Sequence, residues 1–159
     1  MDKLISLLKQ NARFSNAQLA AMLGATEAEI AAKIEEYENA GIIKGYSVIL
    51  DEEKADKDLV TAFIELKVTP QAEYGFDEIA RTVMMYDEVE SVSLMSGAYD
   101  LSVTVSGTNL KEIALFVAQR LSTIDGVLST ATHFVLKRYK EKGIVIGDEI
   151  VDERGFVSP

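Results

Sequence analysis

The 159-residue sequence predicts an α+β protein in two parts, a three-helix head ending in one strand, followed by a four-stranded sheet with two helices. Three observations carry that prediction. Apolar residues recur at helical spacing as far as Gly41 and alternate with period two from Leu59 onward. The alternating half reads strand, helix, strand, strand, helix, strand. A hydrophobic content of 48% suffices for packed cores, and no long polar tract interrupts the chain.

The head begins with Leu4, Ile5, Leu7 and Leu8 on one face of a short amphipathic helix. Asn11 to Phe14 form a link. Ser15 or Asn16 can cap a second helix that buries Leu19, Ala20, Met22 and Leu23, with Gly24 ending it. Thr26 and Glu29 then form a T-x-x-E capping box, in which each side chain satisfies a backbone N–H of the other residue. Ile30, Ile34 and Tyr37 follow at helical spacing. Gly41 stops this third helix, because glycine accepts the left-handed conformation of a C-terminal cap. Two helices around so short a Gly-containing turn have helix-turn-helix geometry. The β-branched run Ile42 to Leu50 predicts a strand, the wing of a winged helix, and Asp51 to Asp58 a charged turn.

In the second part, Ala62, Ile64, Leu66 and Val68 share one strand face, and Thr61, Phe63, Glu65 and Lys67 the other. Pro70 closes this strand. Phe76, Ile79, Ala80, Val83 and Met84 return to helical spacing. Val89 to Met95 is strand-like, Ser96-Gly97-Ala98 a turn, and Leu101, Val103 and Val105 alternate in the next strand. Asn109 can cap a helix with Leu110, Ile113, Ala114, Val117 and Leu121. Asp125-Gly126 leads into a long strand, Val127 to Tyr139. The βαββαβ order is the ferredoxin-like arrangement. Two helices cover one sheet face; the other carries Phe63, Met95, His133 and Val135 among polar residues. A half-apolar face calls for a partner, which a second copy supplies. The expected domains are 1–58, 59–140 and a C-terminal extension, 141–159.

The absence of cysteine excludes disulfides, thiolate metal sites and a cysteine nucleophile. No apolar run approaches the ~20 residues of a membrane span, and the first residues lack a cleavable signal pattern, so a cytoplasmic protein is expected. One histidine builds neither a triad nor a metal site, and no Gly-rich phosphate loop or G-x-S-x-G elbow is present. No enzyme activity, no cofactor and no metal are expected. The acid clusters Asp51-Glu52-Glu53, Asp87-Glu88 with Glu90, and Asp152-Glu153 lack calcium-loop spacing and read as solvated loops.

Residues 4 to 51 resemble the first domain of the Lrp/AsnC family, the feast/famine transcription regulators. The resemblance rests on Leu7-Leu8, the Asn11-to-Ser15 link, Leu19-Ala20, Leu23-Gly24, and GIIKGY from Gly41 to Tyr46 with Leu50-Asp51 after it. Residues 60 to 139 resemble that family's effector domain through SGAYDL, Ser96 to Leu101, between two strands. It implies a DNA-binding regulator that forms homodimers, often octamers, and responds to a small effector, commonly an amino acid. The extension after residue 140 exceeds the usual family length.

Charge departs from the family pattern. The chain's net charge is −10, with net −4 up to residue 58 and −6 beyond it. The third helix, from Thr26 to Asn39, holds five acids and one base, Lys33. A helix that enters a phosphate-lined groove usually has the opposite balance. The expected DNA contacts are Thr26, Ala28, Ala32 and Lys33 on this helix and Lys44 by the wing, with Lys9 and Arg13 as further backbone contacts. The alternative is an effector-binding or assembly protein whose acidic helix has weakened or lost DNA binding.

For the effector, backbone N–H groups around Gly97 can hold a carboxylate and Asp100 can accept from an ammonium, with Ala98 and Tyr99 between them. Glycine at position 97 would let the backbone approach closely. The same four residues also read as a plain tight turn with Asp100 as a turn residue. The resemblance adds His133 and Phe134, on the last strand, as residues lining or supporting the effector cavity.

Overall fold

The computed structural model describes residues 2–56, 58–69 and 75–146. It forms two compact units, Met1–Val48 and the chain from Ile49 onward. The sequence suggests a boundary ten residues later, at 58. Residues 50–56 instead group with the second unit, where Leu50, Glu52 and Leu59 line a cavity with Val135 and Arg138.

The first unit holds α1 (Lys3–Gln10), α2 (Asn16–Leu23) and α3 (Glu27–Asn39). Their inward faces bury Leu4, Leu19, Ala20, Ile30 and Tyr37, with Ile5, Leu7, Leu8, Phe14, Leu23, Ile34 and Ile43 packed around them. Met22, expected in this core, is exposed instead. Capping residues define the helix ends. Asp2 accepts the Leu4 N–H at 2.9 Å. Ser15 and Gln18 form a capping box at α2, as Thr26 and Glu29 do at α3. Beyond α3, Gly41 takes φ +66. The Ile42 N–H donates to the Tyr37 carbonyl at 2.8 Å and the Gly41 N–H to that of Glu38 at 2.9 Å. This pair of crossed bonds satisfies carbonyls that the helix itself leaves open.

The expected wing strand is not formed. Residues 42–50 run without strand pairing, and Ile42, Tyr46, Val48 and Leu50 are exposed. β-branched composition favours an extended chain, but a strand exists only when its N–H and C=O groups meet a neighbour.

The second unit contains α4 (Glu52–Ala55), β1 (Val60–Val68), α5 (Asp77–Met84), β2 (Val89–Leu94), β3 (Leu101–Gly107), α6 (Leu110–Phe116) and β4 (Val127–Phe134). The sheet order is β2-β3-β1-β4, with each neighbouring pair antiparallel. This is the predicted ferredoxin-like arrangement. Ala62, Ile64, Leu66 and Val68 face the helices with Leu101, Val103 and Val105, over Ile79, Val83, Ile113, Phe116 and Leu121. The opposite face carries Phe63 opposite Thr104 and His133, and Glu65 opposite Ser102 and Ala131.

Two departures lie near the end of the described chain. α6 widens into a π-helical turn over Val117–Leu121. β4 ends at Phe134, short of the expected Tyr139. The Val135 N–H makes a last bond to the Thr61 carbonyl at 2.9 Å, and the chain then turns into a hairpin of β5 (Lys140–Glu141) and β6 (Ile144–Val145). The closing Pro70 and extension residues 147–159 lie outside the described residues. Among the described residues no helix is long and apolar enough to cross a membrane, and no cluster of acids and histidine could hold a metal ion.

Candidate functional site

α3 is built by its inner face. Ile30 and Tyr37 are buried, and Ile34 is half-buried beside them. At 3.6 residues per turn, Ala28, Ala32, Glu35 and Asn39 fall on the opposite side. All four are exposed, as is Ala31.

Most of the helix's charge is occupied within the unit. One carboxylate oxygen of Glu29 accepts from both the Thr26 N–H and its hydroxyl, each at 2.8 Å. These bonds, the backbone one foremost, hold the Glu29 carboxyl below its ordinary range. The Lys33 ammonium donates to both Glu36 oxygens, at 2.9 and 2.8 Å, and lies 5.0 Å from the centre of the Tyr37 ring. The bond to Glu36 raises the Lys33 pKa. Glu38 accepts from the Tyr46 hydroxyl at 2.8 Å, which raises the Tyr46 pKa. Glu27 and Glu35 alone among these acids have no hydrogen-bond or ion-pair partner among the described residues.

The predicted DNA contacts therefore divide. Ala28 and Ala32 face outward. Thr26 spends its hydroxyl on the cap, and Lys33 is half-buried and tied to Glu36, so neither is a freely reaching group. Lys44 is exposed, and its ammonium folds back over Gly41 so closely that a Cβ there would lie 2.6 Å away. This sets a cation at the carbonyl end of α3, a favourable place for positive charge.

In the second unit, the loop between β2 and β3 hangs on β1 through Asp100. The Asp100 N–H donates to the Leu66 carbonyl at 2.9 Å, and its Oδ2 accepts the Val68 N–H at 2.9 Å. The Asp100 carbonyl accepts the Met95 N–H at 2.8 Å, closing the loop. Gly97 and Ala98 are exposed at its tip. Gly97 is not left-handed, and a Cβ there would meet nothing within 4 Å, so no close approach within this chain requires glycine. Tyr99 reaches over the open sheet face, its ring edge-on to Phe63 with centroids 6.0 Å apart. His133 lies on the far side of Phe63 at 6.1 Å, with its Nε2 3.4 Å from Glu65. Phe134 does not join them. Adjacent residues of a strand face opposite ways, and Phe134 packs among the core residues on the helix side. The expected effector set thus separates into an exposed loop, an aromatic row on the open face, and a core phenylalanine.

One polar arrangement went unread in the sequence. A cavity of about 190 Å³ lies between α4, the start of β1 and the chain after β4. Arg138 there donates to Glu141 at 2.7 Å, and its other terminal nitrogen is 3.8 Å from Glu52. Glu52 lies 3.5 Å from the buried Thr61 hydroxyl. The Arg138 Nε is buried without a partner among the described residues. A base just past the last strand and the acidic run Asp51–Glu53 were the available signals. Nothing in their spacing brings them together.

Comparison with known proteins agrees with both halves. Residues 3–44 match the winged helix-turn-helix DNA-binding model, and residues 61–145 match the Lrp/AsnC ligand binding domain. The chain is 42% identical over 158 residues to YugG of Bacillus subtilis, an uncharacterised HTH-type transcriptional regulator, covering 99% of this chain and 95% of the relative. Among solved structures, AsnC of Escherichia coli shares the fold with a TM-score of 0.69 and 24% identity, over 91% of this chain and 97% of that one. A transcriptional regulator from Neisseria meningitidis, NMB0573, solved with L-Met, shares it with a TM-score of 0.71 and 24% identity, over 89% and 93%. Nothing in these likenesses favours a protein that has lost its DNA-binding role. With a helix-turn-helix unit that matches the winged-helix model in front of an effector-binding domain of this topology, the chain belongs to the Lrp/AsnC family of DNA-binding transcription regulators.

Proposed function

We propose that this regulator works in the cytoplasm as a homodimer, assembling further to octamers, and that a free amino acid at the Ser96–Asp100 loop adjusts its assembly or its hold on DNA. One observation carries the effector half. The four consecutive backbone N–H groups of Ser96, Gly97, Ala98 and Tyr99 donate to no acceptor among the described residues. Such a row suits a carboxylate. Asp100 uses Oδ2 on Val68, which leaves Oδ1 to accept from an ammonium. Tyr99, Phe63 and His133 offer an aromatic wall beside the loop. The complex of the Neisseria regulator with L-Met supports an amino acid as the class.

On the DNA side, Ala28 and Ala32 meet the duplex, Lys44 contributes charge, and Thr26 and Lys33 hold the helix in shape. Both modules support regulation rather than catalysis. The ligand must bind one assembly state better than another, since equal affinity shifts nothing.

The test is a thermal-shift panel of the twenty amino acids, paired with gel shifts on the upstream region of the protein's own gene. A ligand at one hundred times its Kd stabilises by about 2.7 kcal/mol, a readily measured rise in melting temperature. Gly97→Leu should fold normally, because open space surrounds that position, and should abolish the rise. If no amino acid raises the melting temperature, or Gly97→Leu keeps the full effect, the loop is only a turn.

A further inference from the structure

The outward face of α3 carries a chemically simple surface. Ala28, Ala32 and Glu35 lie in one stripe opposite the buried Ile30 and Tyr37, and all three are exposed. From Ala28 to Glu35 the helix rises roughly 10.5 Å, about three base steps of a duplex strand. Along this stripe the first two positions present only methyl groups. The third presents a carboxylate with no hydrogen bond or ion pair among the described residues. Between Ala28 and Glu35 the other polar groups are committed inside the unit, and the uncommitted Glu27 and Asn39 lie beyond the two ends of the stripe. Thr26 and Glu29 are bonded to each other, Lys33 to Glu36, and Tyr46 to Glu38.

In the major groove, a methyl side chain is matched by the C5-methyl of thymine, and a carboxylate by the amino group of cytosine. A carboxylate brought between phosphates without a donor would be strongly disfavoured, because desolvation and like charge both oppose it. Glu35 is therefore tolerable in the groove where a base donor meets it, and discriminates against sites that lack one.

We infer that α3 reads DNA through thymine methyls at Ala28 and Ala32 and through a cytosine amino group at Glu35. The acidic residue acts as a specificity determinant in place of the arginines and lysines a reader helix usually carries. This reading rests on the DNA-binding role and specifies how it is performed. It makes the interface poor in direct charge contacts on α3, so sequence discrimination falls to shape, methyl contact and one carboxylate.

The experiment is selection from a random duplex pool by the full-length protein at low salt, repeated with Glu35→Gln. The enriched half-site should hold thymines beside a cytosine. Replacing those thymines with deoxyuridine removes only the methyls, and should weaken binding about fourfold for each buried methyl. Glutamine favours adenine, where it can both donate and accept. Glu35→Gln should therefore shift the preference at the cytosine position toward adenine, changing the ratio of the two affinities at least about fivefold. The ratio cancels the general gain from losing a negative charge. Because Glu35 is exposed and unpaired, an unchanged melting temperature verifies that the variant folds. Deoxyuridine without effect overturns the methyl contacts, and an unaltered base preference in Glu35→Gln overturns the carboxylate contact. A protein that enriches no sequence and shifts no duplex removes the DNA-binding role itself, a result distinct from the other two.

Discussion

At the scale of single residues, the winged-helix unit is clipped together by carboxylates that accept hydrogen bonds. Asp2 caps α1 and also accepts a short bond from the Tyr37 hydroxyl of α3. The Tyr37 bond foremost, then the Leu4 N–H, lowers the Asp2 pKa from its ordinary 3.8. Glu29 is lowered from 4.5 by Thr26, and Glu112 in the second unit by the hydroxyl and N–H of Thr108. A lowered folded pKa means stability present above the unfolded value and lost as pH falls through the folded one. Melting temperature should therefore be flat near neutrality and fall below about pH 4, and Asp2→Asn should flatten part of that fall. Tyr37 and Tyr46 shift the other way, raised above 10.0 by their bonds to Asp2 and Glu38. Their contribution is complete below that value and is lost as pH rises through the raised one. A melting curve insensitive to acid would show that these bonds do not persist in solution. Asp100 is a carboxylate that braces the β2–β3 loop against β1. Asp100→Ala leaves the Val68 N–H without its acceptor and should lower unfolding free energy by about 1–3 kcal/mol in urea titration.

Elements are punctuated by backbone geometry that sequence pattern alone grades poorly. Gly126, before β4, takes φ +89, and a Cβ there would lie 2.9 Å from the Ile79 side chain and 3.4 Å from the Thr69 carbonyl. Gly126→Ala should therefore lose about 1–2 kcal/mol from conformation alone, with more from the contact. Gly97→Ala, in open space without a left-handed φ, should stay within about 0.5 kcal/mol of the parent. Equal losses at both sites in denaturant titrations would contradict these backbone assignments. The dipeptide Asp125-Gly126 was legible as a turn because of its glycine. Gly97 was legible only as part of SGAYDL, and no contact within the chain requires glycine there. The missing wing strand and the shortened β4 have one cause. Both segments are rich in β-branched or aromatic residues, yet residues 42–50 have no strand neighbour and the chain beyond Phe134 leaves the β1 ladder. The π-helical turn at Val117–Leu121 left no trace in the spacing of its apolar residues.

For the whole molecule, the net charge of −10 misleads about DNA because it is unevenly distributed. Met1 to Val48 has five bases and six acids, net −1, and the excess of acids falls in the linker and the effector domain. Lys3, Lys9, Arg13 and Lys44 are exposed in the first unit and form no ion pair among the described residues. If all four meet phosphates, the salt slope of log K is about −3.6 per winged helix, roughly −7 for a dimer. Fluorescence-anisotropy titrations between 50 and 200 mM salt, roughly the range over which such slopes are read, check this. A slope much steeper than −8 or so would mean that phosphate contacts come from outside the first unit.

Local chemistry alone determined the three head helices, the βαββαβ order of the sheet domain, the helix caps at Ser15, Thr26 and Asn109, the buried faces of β1 and β3, and, through two motifs in the right order, the family. Caps, turns and burial patterns depend on residues close in sequence, so their signals survive in one dimension. Only the tertiary structure decided that Lys33 is tied to Glu36 and Tyr37 while Glu35 stands free, that Asp100 reaches Val68, that Tyr99 and His133 flank Phe63, and that Arg138 meets Glu52. Each of these depends on which way a side chain points and what already occupies its bonding groups. Whether a charged residue in α3 is a contact or a brace is therefore not a property of its type. It is set by the neighbours that folding brings within hydrogen-bond reach.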